Sequence, residues 1–234
     1  MGMPTAQDFE AGRVTQISQS EAIRQTLYDH QLYPAAGTQQ LTFFQSQVGT
    51  GLTTAPGGTA NTPKSLWDTN MTLAGQLASG MRVLVESIEV TFYPGNVSTA
   101  NTYTQQVLTM FLAAASAVPS ARVDDVSVFY QSGMLEFNIL AKNYLREAPL
   151  MRFPPKAFLT PRGAIASNST TTSEVGFASA HADGRPYYIE PRITLEPAMN
   201  FEVALKWPGL VAMTSTFNAR VGVILDGYVQ RASQ

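Results

Sequence analysis

The sequence predicts an all-β fold built as a sandwich, and three observations carry that prediction. From Asn200 to Trp207, Phe201, Val203, Leu205 and Trp207 alternate without a break with Glu202, Ala204 and Lys206. Successive side chains of a strand point to opposite faces, so this spacing puts two aromatics and two aliphatics on one face and two opposite charges on the other. The same style recurs on both flanks: Tyr187, Ile189, Ile193 and Leu195 share one parity before this stretch, and Val221, Val223 and Leu225 share one parity after it. Burial of each such side chain contributes roughly 1.5–3 kcal/mol, which requires a second sheet to cover the face. A chain of 234 residues is long enough to bury that core as one domain, and two small domains remain an alternative.

Taken in order, residues 1–39 read as an N-terminal arm. They show no strand alternation, yet Phe9, Val14, Ile17, Ile23 and Leu27 are spread through them as apolar anchors. Ser20 is placed to cap one or two helical turns, which Tyr33-Pro34-Ala35-Ala36-Gly37 would end. The arm packs either on its own domain or on a neighbouring subunit. Too sparse to make a core and too numerous for a free tail, its anchors are the candidate subunit-interface residues.

Leu41 to Gln45 reads as the first strand, Gly49 to Pro63 as a surface loop, and Asn70 to Leu73 as a short strand. Met81, Val83 and Val85 then hold odd positions while Ile88, Val90 and Phe92 hold even ones. A β-bulge at Glu86-Ser87 would restore one continuous buried face. Within Thr102 to Ser120, Val107, Leu108, Phe111, Leu112 and Ala115 fit helical spacing, and a doubly buried strand is the alternative; the density of alanine favours helix. Val123 to Tyr130 reads as a second helical segment. Met134 to Leu140 alternates cleanly, with Leu135, Phe137 and Ile139 inward.

Pro149, Pro154 and Pro155 exclude a central strand between Tyr144 and Leu159. Ile165 to Ser173 reads as a loop. Strands at 186–196, 200–207 and 219–230 finish the chain, with Pro191 marking an edge or a kink. Asp226-Gly227 reads as a bulge in preference to a two-residue turn, because few residues follow it.

Composition removes many functions. The absence of cysteine eliminates disulfides, thiolate catalysis and the usual zinc sites. His30 and His181 are the only histidines, too few for a multi-histidine metal centre, and no G-x-S-x-G elbow, G-x-G-x-x-G or Walker-type loop occurs. The carboxylates Glu86 and Glu89, Asp124 and Asp125, and Glu190 and Glu196 read as solvated strand faces and a helix start rather than glycosidase pairs. Lys64, Lys142, Lys156 and Lys206 are scattered and the net charge is -2, so no nucleic-acid site is evident. No Sec-type signal opens the chain, and its longest apolar run, Val107 to Val118, is too short to cross a membrane as a helix. The expectation is a protein with no catalytic residues, no cofactor and no metal. With only 14% charged residues, much of its surface suits burial in an assembly.

Several strings carry a family resemblance. Ser132-Gly133-Met134-Leu135-Glu136-Phe137-Asn138-Ile139 leads to Asn143-Tyr144-Leu145 and Pro149-Leu150-Met151-Arg152-Phe153-Pro154-Pro155. Pro186-Tyr187-Tyr188-Ile189, Asn200-Phe201-Glu202-Val203 and the ending Val223-Ile224-Leu225-Asp226-Gly227-Tyr228-Val229-Gln230-Arg231 follow. Together they resemble the jelly-roll capsid (coat) proteins of tailless icosahedral bacteriophages. The resemblance implies one eight-stranded jelly roll over 40–234, with a helical insertion at 99–131; a double jelly roll is the alternative. It further implies a structural protein of the virion that assembles with copies of itself as trimer or hexamer capsomers, with other virion proteins and, in some members, over an internal membrane. A virion spike or tail accessory protein and a carbohydrate-binding β-sandwich are the alternative functions.

Overall fold

Two antiparallel sheets face each other across the apolar side chains that the sequence alternates. The computed structural model describes residues 20–54, 62–94, 118–156, 166–168, 171–175, 185–214 and 216–232. Sheet 1 contains β1 (Ser20–Arg24), β2 (Leu27–Tyr33), β4 (Met81–Tyr93), β9 (Tyr187–Leu195) and β11 (Ala219–Ala232). Sheet 2 contains β3 (Gln40–Phe43), β5 (Met134–Ile139), β6 (Lys142–Glu147) and β10 (Phe201–Lys206), in the order β3-β10-β5-β6. Between β6 and β9, β7 (Ala166–Asn168) and β8 (Thr171–Val175) pair with each other. The helix α1 (Val118–Ser132) lies between β4 and β5.

The spine of sheet 1 is β11, with β4 along one side and β2 then β1 sharing the other. Asp226 registers with Ser87 and Gly227 with Val85, which leaves Glu86 as the extra residue of a bulge in β4. That is the phase change the sequence shows at Glu86-Ser87, and it keeps Val83, Val85, Ile88 and Val90 all on the buried face. Gly227 is required opposite it: a Cβ there would sit 1.8 Å from the Leu84 carbonyl oxygen. In sheet 2, Phe201, Val203, Leu205 and Trp207 are buried as the alternation predicts, and Ile139, Phe137 and Leu135 of β5 register beside Phe201, Val203 and Leu205 on the same face. Glu136 faces away from the core yet is also buried, because Lys206 and Arg146 close over it. At one end α1 inserts Phe129 against Phe92, Tyr33 and Trp207, with ring centroids 4.2, 5.7 and 5.5 Å away.

Three expectations change, and the exclusion of a central strand before Pro149 holds. Residues 20–33 are neither helical turns nor part of an arm; they form β1 and β2, registered along β11. Their alternation is hidden because Asp29 and Gln31 share the inward parity of Leu27 and Tyr33, and both find polar partners there: Asp29 takes Lys64 and the Phe44 N–H, and Gln31 donates to the Thr42 carbonyl. Asn70 to Leu73 is not a strand: Leu73 makes one isolated bridge to Gln76, and Thr69 just before the segment makes one to Asp29. The segment before Pro149 carries β6, an edge strand compatible with the prolines that follow it. Ile165 to Ser173, expected as loop, contains β7 and part of β8. Val123 to Tyr130 lies inside α1 as expected, while most of Thr102 to Ser120 falls outside the described residues.

Candidate assembly surface

The segment joining β3 to β4 folds over the β2 edge of sheet 1, held there by two adjacent residues that point to opposite faces. Inward, Asp29 Oδ1 meets Lys64 Nζ at 2.6 Å while Oδ2 accepts the Phe44 N–H at 2.7 Å. Burial pushes the Asp29 carboxyl up, against the charge and hydrogen bond of Lys64. Outward, the His30 ring lies across β11 at Gly222, where a Cβ would come within 2.5 Å of it. Its Nδ1 is 3.0 Å from the Asp68 carbonyl oxygen, which also accepts the His30 backbone N–H at 2.8 Å. Burial first, then the Arg220 charge, push the imidazole down to about 3, so His30 is neutral at pH 7.

Asp68 is the knot of the outer cluster. Its carboxylate accepts from Thr53 Oγ1 at 2.6 Å, the Thr54 N–H at 2.7 Å, Thr54 Oγ1 at 2.9 Å and the Ser65 N–H at 3.1 Å. Burial works to raise this carboxyl, but those hydrogen bonds together hold it below its usual value. Arg220 completes the tie: Nε donates to Thr54 Oγ1 at 3.1 Å, and a terminal nitrogen donates to the Trp67 carbonyl at 2.9 Å. Its guanidinium lies 5.9 Å from the Trp67 ring centre and 6.0 Å from that of Tyr93.

The outcome is a platform. Leu66 and Trp67, the latter 59% exposed, stand on backbone fixed from below, and Tyr28 donates its hydroxyl to the Leu66 carbonyl. Leu32, also exposed, registers directly opposite Arg220 on the same face, and exposed Leu52 lies two residues before Thr54. Large apolar side chains exposed on a tied backbone make this surface a candidate interface.

A second charged group sits at the bulge. Asp226 is bound by Arg24 at 2.7 Å and by Lys156, Glu86 by Arg24 at 3.2 Å and Arg192 at 2.9 Å, and Glu89 by the Lys156 backbone N–H at 2.8 Å. The bulge thus brings Glu86 and Glu89 to one face, where three cations engage them together with Asp226.

The predicted residues fare unevenly. Phe9, Val14, Ile17 and His181 lie outside the described residues. Ile23 registers with Val229 and stays exposed. Leu27 does not: at 1% exposure it belongs to the core of its own chain. Asp124 and Asp125 lie well inside α1 rather than at a helix start. Among the described residues no group of three or more His, Asp or Glu side chains is placed to hold a metal ion. Sequence reasoning missed the Leu66-Trp67 platform and treated Lys64 as one scattered lysine; Trp67-Asp68 directly after a Gly/Thr/Pro loop was the available signal. No family model, curated protein or solved structure matches this chain.

Proposed function

We propose that this chain is a structural virion protein, a major capsid protein of a tailless icosahedral phage, built on a single jelly roll that assembles with copies of itself. One observation carries the reading. Counting β2, β3, β4, β5, β6, β9, β10 and β11 as successive strands, the antiparallel pairs first-with-last, second-with-seventh, third-with-sixth and fourth-with-fifth are all present. Last-with-third and seventh-with-fourth contacts then join those pairs into the two sheets. These pairings support reading the sandwich as one long hairpin rolled up on itself, the jelly roll of viral capsid and lectin domains. On this count β1 extends the first strand along β11, and α1 and the β7–β8 hairpin are insertions in connections.

The alternative with most support is a carbohydrate-binding sandwich, since jelly rolls serve lectins and Trp67 is exposed. The capsid reading is preferred because exposed Leu66 adjoins Trp67 and exposed Leu32 lies opposite Arg220, whose guanidinium lies beside the Trp67 ring, whereas a sugar site needs convergent polar groups beside its aromatic. Mass photometry of the purified protein tests it: discrete trimers or hexamers are expected, and a strict monomer that binds a glycan array would overturn it. Of the arm expected over 1–39, residues 1–19 lie outside the described residues, and in this reading they contribute to contact with a neighbour. Because residues 20–33 lie in sheet 1, the informative truncation removes 1–19 only; it should leave β content by circular dichroism unchanged and weaken association.

A further inference from the structure

Asp29 and Lys64 meet where water does not reach. Their side chains are 0% and 4% exposed and the contact is 2.6 Å. An ammonium has three N–H donors, and among the described residues Asp29 is the acceptor found for this one. The other carboxylate oxygen faces the Phe44 N–H, presented by a backbone in the left-handed region (φ 69°) that a phenylalanine adopts only at a cost.

We propose that Lys64 and Asp29 are joined by an intramolecular isopeptide bond, an amide between Lys64 Nζ and Asp29 Cγ that this pocket forms by itself. The step begins when a proton passes from Lys64 to Asp29 inside the pair, giving an amine and a carboxylic acid. A nitrogen 2.6 Å from one carboxylate oxygen lies roughly 3–3.5 Å from its carbon, a near-attack separation. The amine lone pair forms the Nζ–Cγ bond, and the negative charge gathers on Oδ2, where the Phe44 N–H donates to it. The Cγ–Oδ1 bond breaks and Oδ1 leaves as water, carrying the acid's proton and one proton from the amine; nothing is oxidised or reduced. The product keeps Oδ2 as acceptor for Phe44, replaces three N–H donors by one and removes two buried charges.

The bond would span 35 positions of sequence and tie β2 to the segment that displays Leu66 and Trp67. It would give a chain with no cysteine a covalent staple indifferent to redox conditions. Nothing in this inference depends on the capsid reading.

The test is intact mass spectrometry of the purified full chain. The expected mass is about 18 Da below that of the unmodified chain, one water lost, with Lys64→Arg and Asp29→Ala each at the unmodified mass of its own sequence. Proteolysis of the native-sequence protein should yield one branched peptide joining the segments that contain residues 29 and 64. An unmodified mass, fresh and after prolonged incubation, would overturn the proposal. So would a water loss that persists in Lys64→Arg, since that places the dehydration elsewhere, for instance in a succinimide at Asp226-Gly227. If a variant fails to fold, the mass of its denatured chain still reads the bond, and the branched peptide from the native sequence decides independently.

Discussion

Two clusters of charge brace sheet 1, one under the segment that crosses the β2 edge and one at the β4 bulge, and they use the same residue types in opposite ways. At the edge, Asp29, Lys64, Asp68 and Arg220 are all buried, so every charge depends on partners fixed by the fold. At the bulge the carboxylates of Asp226, Glu89 and Glu86 are largely covered while Arg24, Lys156 and Arg192 remain about half exposed. A cation that keeps part of its hydration loses little when it lets go, and water readily replaces it. A cation stripped of water cannot be removed without leaving its partner uncompensated. The edge cluster therefore dictates one conformation of the β3–β4 segment, whereas the bulge network decorates a geometry already set by Gly227 and the backbone ladder.

The largest expected effect that would sharpen this contrast is at Lys64. Lys64→Met keeps the volume and strands Asp29 without its partner, whether that partner is held as a cation or through the amide, which should cost about 3–5 kcal/mol or more in a denaturant titration. A loss no larger than that of an exposed ion pair would mean the edge cluster is not what holds the segment.

Acid provides the next largest effect. His30 is held down to about 3 in the folded chain, against 6.5 when unfolded. Between those values the unfolded chain binds more protons, so stability is intact above pH 6.5 and falls as pH drops toward 3. The contribution lost by pH 4 is about 3 kcal/mol. Asp68, whose carboxyl is lowered, acts in the same direction below its unfolded value, and Asp29, raised, opposes both. Thermal unfolding of His30→Gln between pH 7 and 4 should show a markedly flatter decline than the parent chain; an equal slope would mean His30 is not buried neutral. His30 is a structural residue, fixed between Asp68 and Gly222.

How much of this was legible follows from where the signal lies. β5, β10 and β11 were readable because each sets its large apolar side chains on one parity and mostly polar or charged ones on the other, so the code of period two survives even where partners bury that second face. The bulge at Glu86-Ser87 was readable for the same reason, as a phase error in an otherwise regular run. β2 was not, because its inward positions include Asp29 and Gln31, polar residues satisfied by partners far away in sequence. β6 was not, because an edge strand with both faces largely wet has no alternation to show. The platform depends on contacts between Asp68, Thr54, Arg220 and Trp67, which are joined only when β11 passes beneath the β3–β4 segment. A composition of Gly, Thr and Pro announces a loop, and says nothing of a lysine within it being carried into the interior.

A smaller effect tests whether the platform works between subunits. Leu66→Ser with Trp67→Ser removes two side chains that are mostly in water, so folding stability should change by about 0.5 kcal/mol or less. Association measured by mass photometry should nevertheless weaken by at least tenfold, the loss of an interface hot spot. Unchanged assembly would separate the platform from the assembly surface and leave the arm or another face to carry it.

The smallest effect belongs to the bulge, and its size is what completes the contrast with Lys64. Lys156→Ala removes one of two cations from Asp226, but Arg24 stays at 2.7 Å and the Lys156 backbone N–H still serves Glu89 at 2.8 Å. The cost should be within about 1 kcal/mol and should shrink as salt is added, because a cation 42% exposed is screened by the solvent around it. Arg24→Ala alone should be similar, since Lys156 remains for Asp226 and Arg192 for Glu86. The two together leave buried Asp226 with neither, so the double variant should lose more than the sum of the singles, a coupling read directly from a double-mutant cycle. Additive losses would show that water reaches Asp226 once either side chain is gone, and the bulge would then need no network at all.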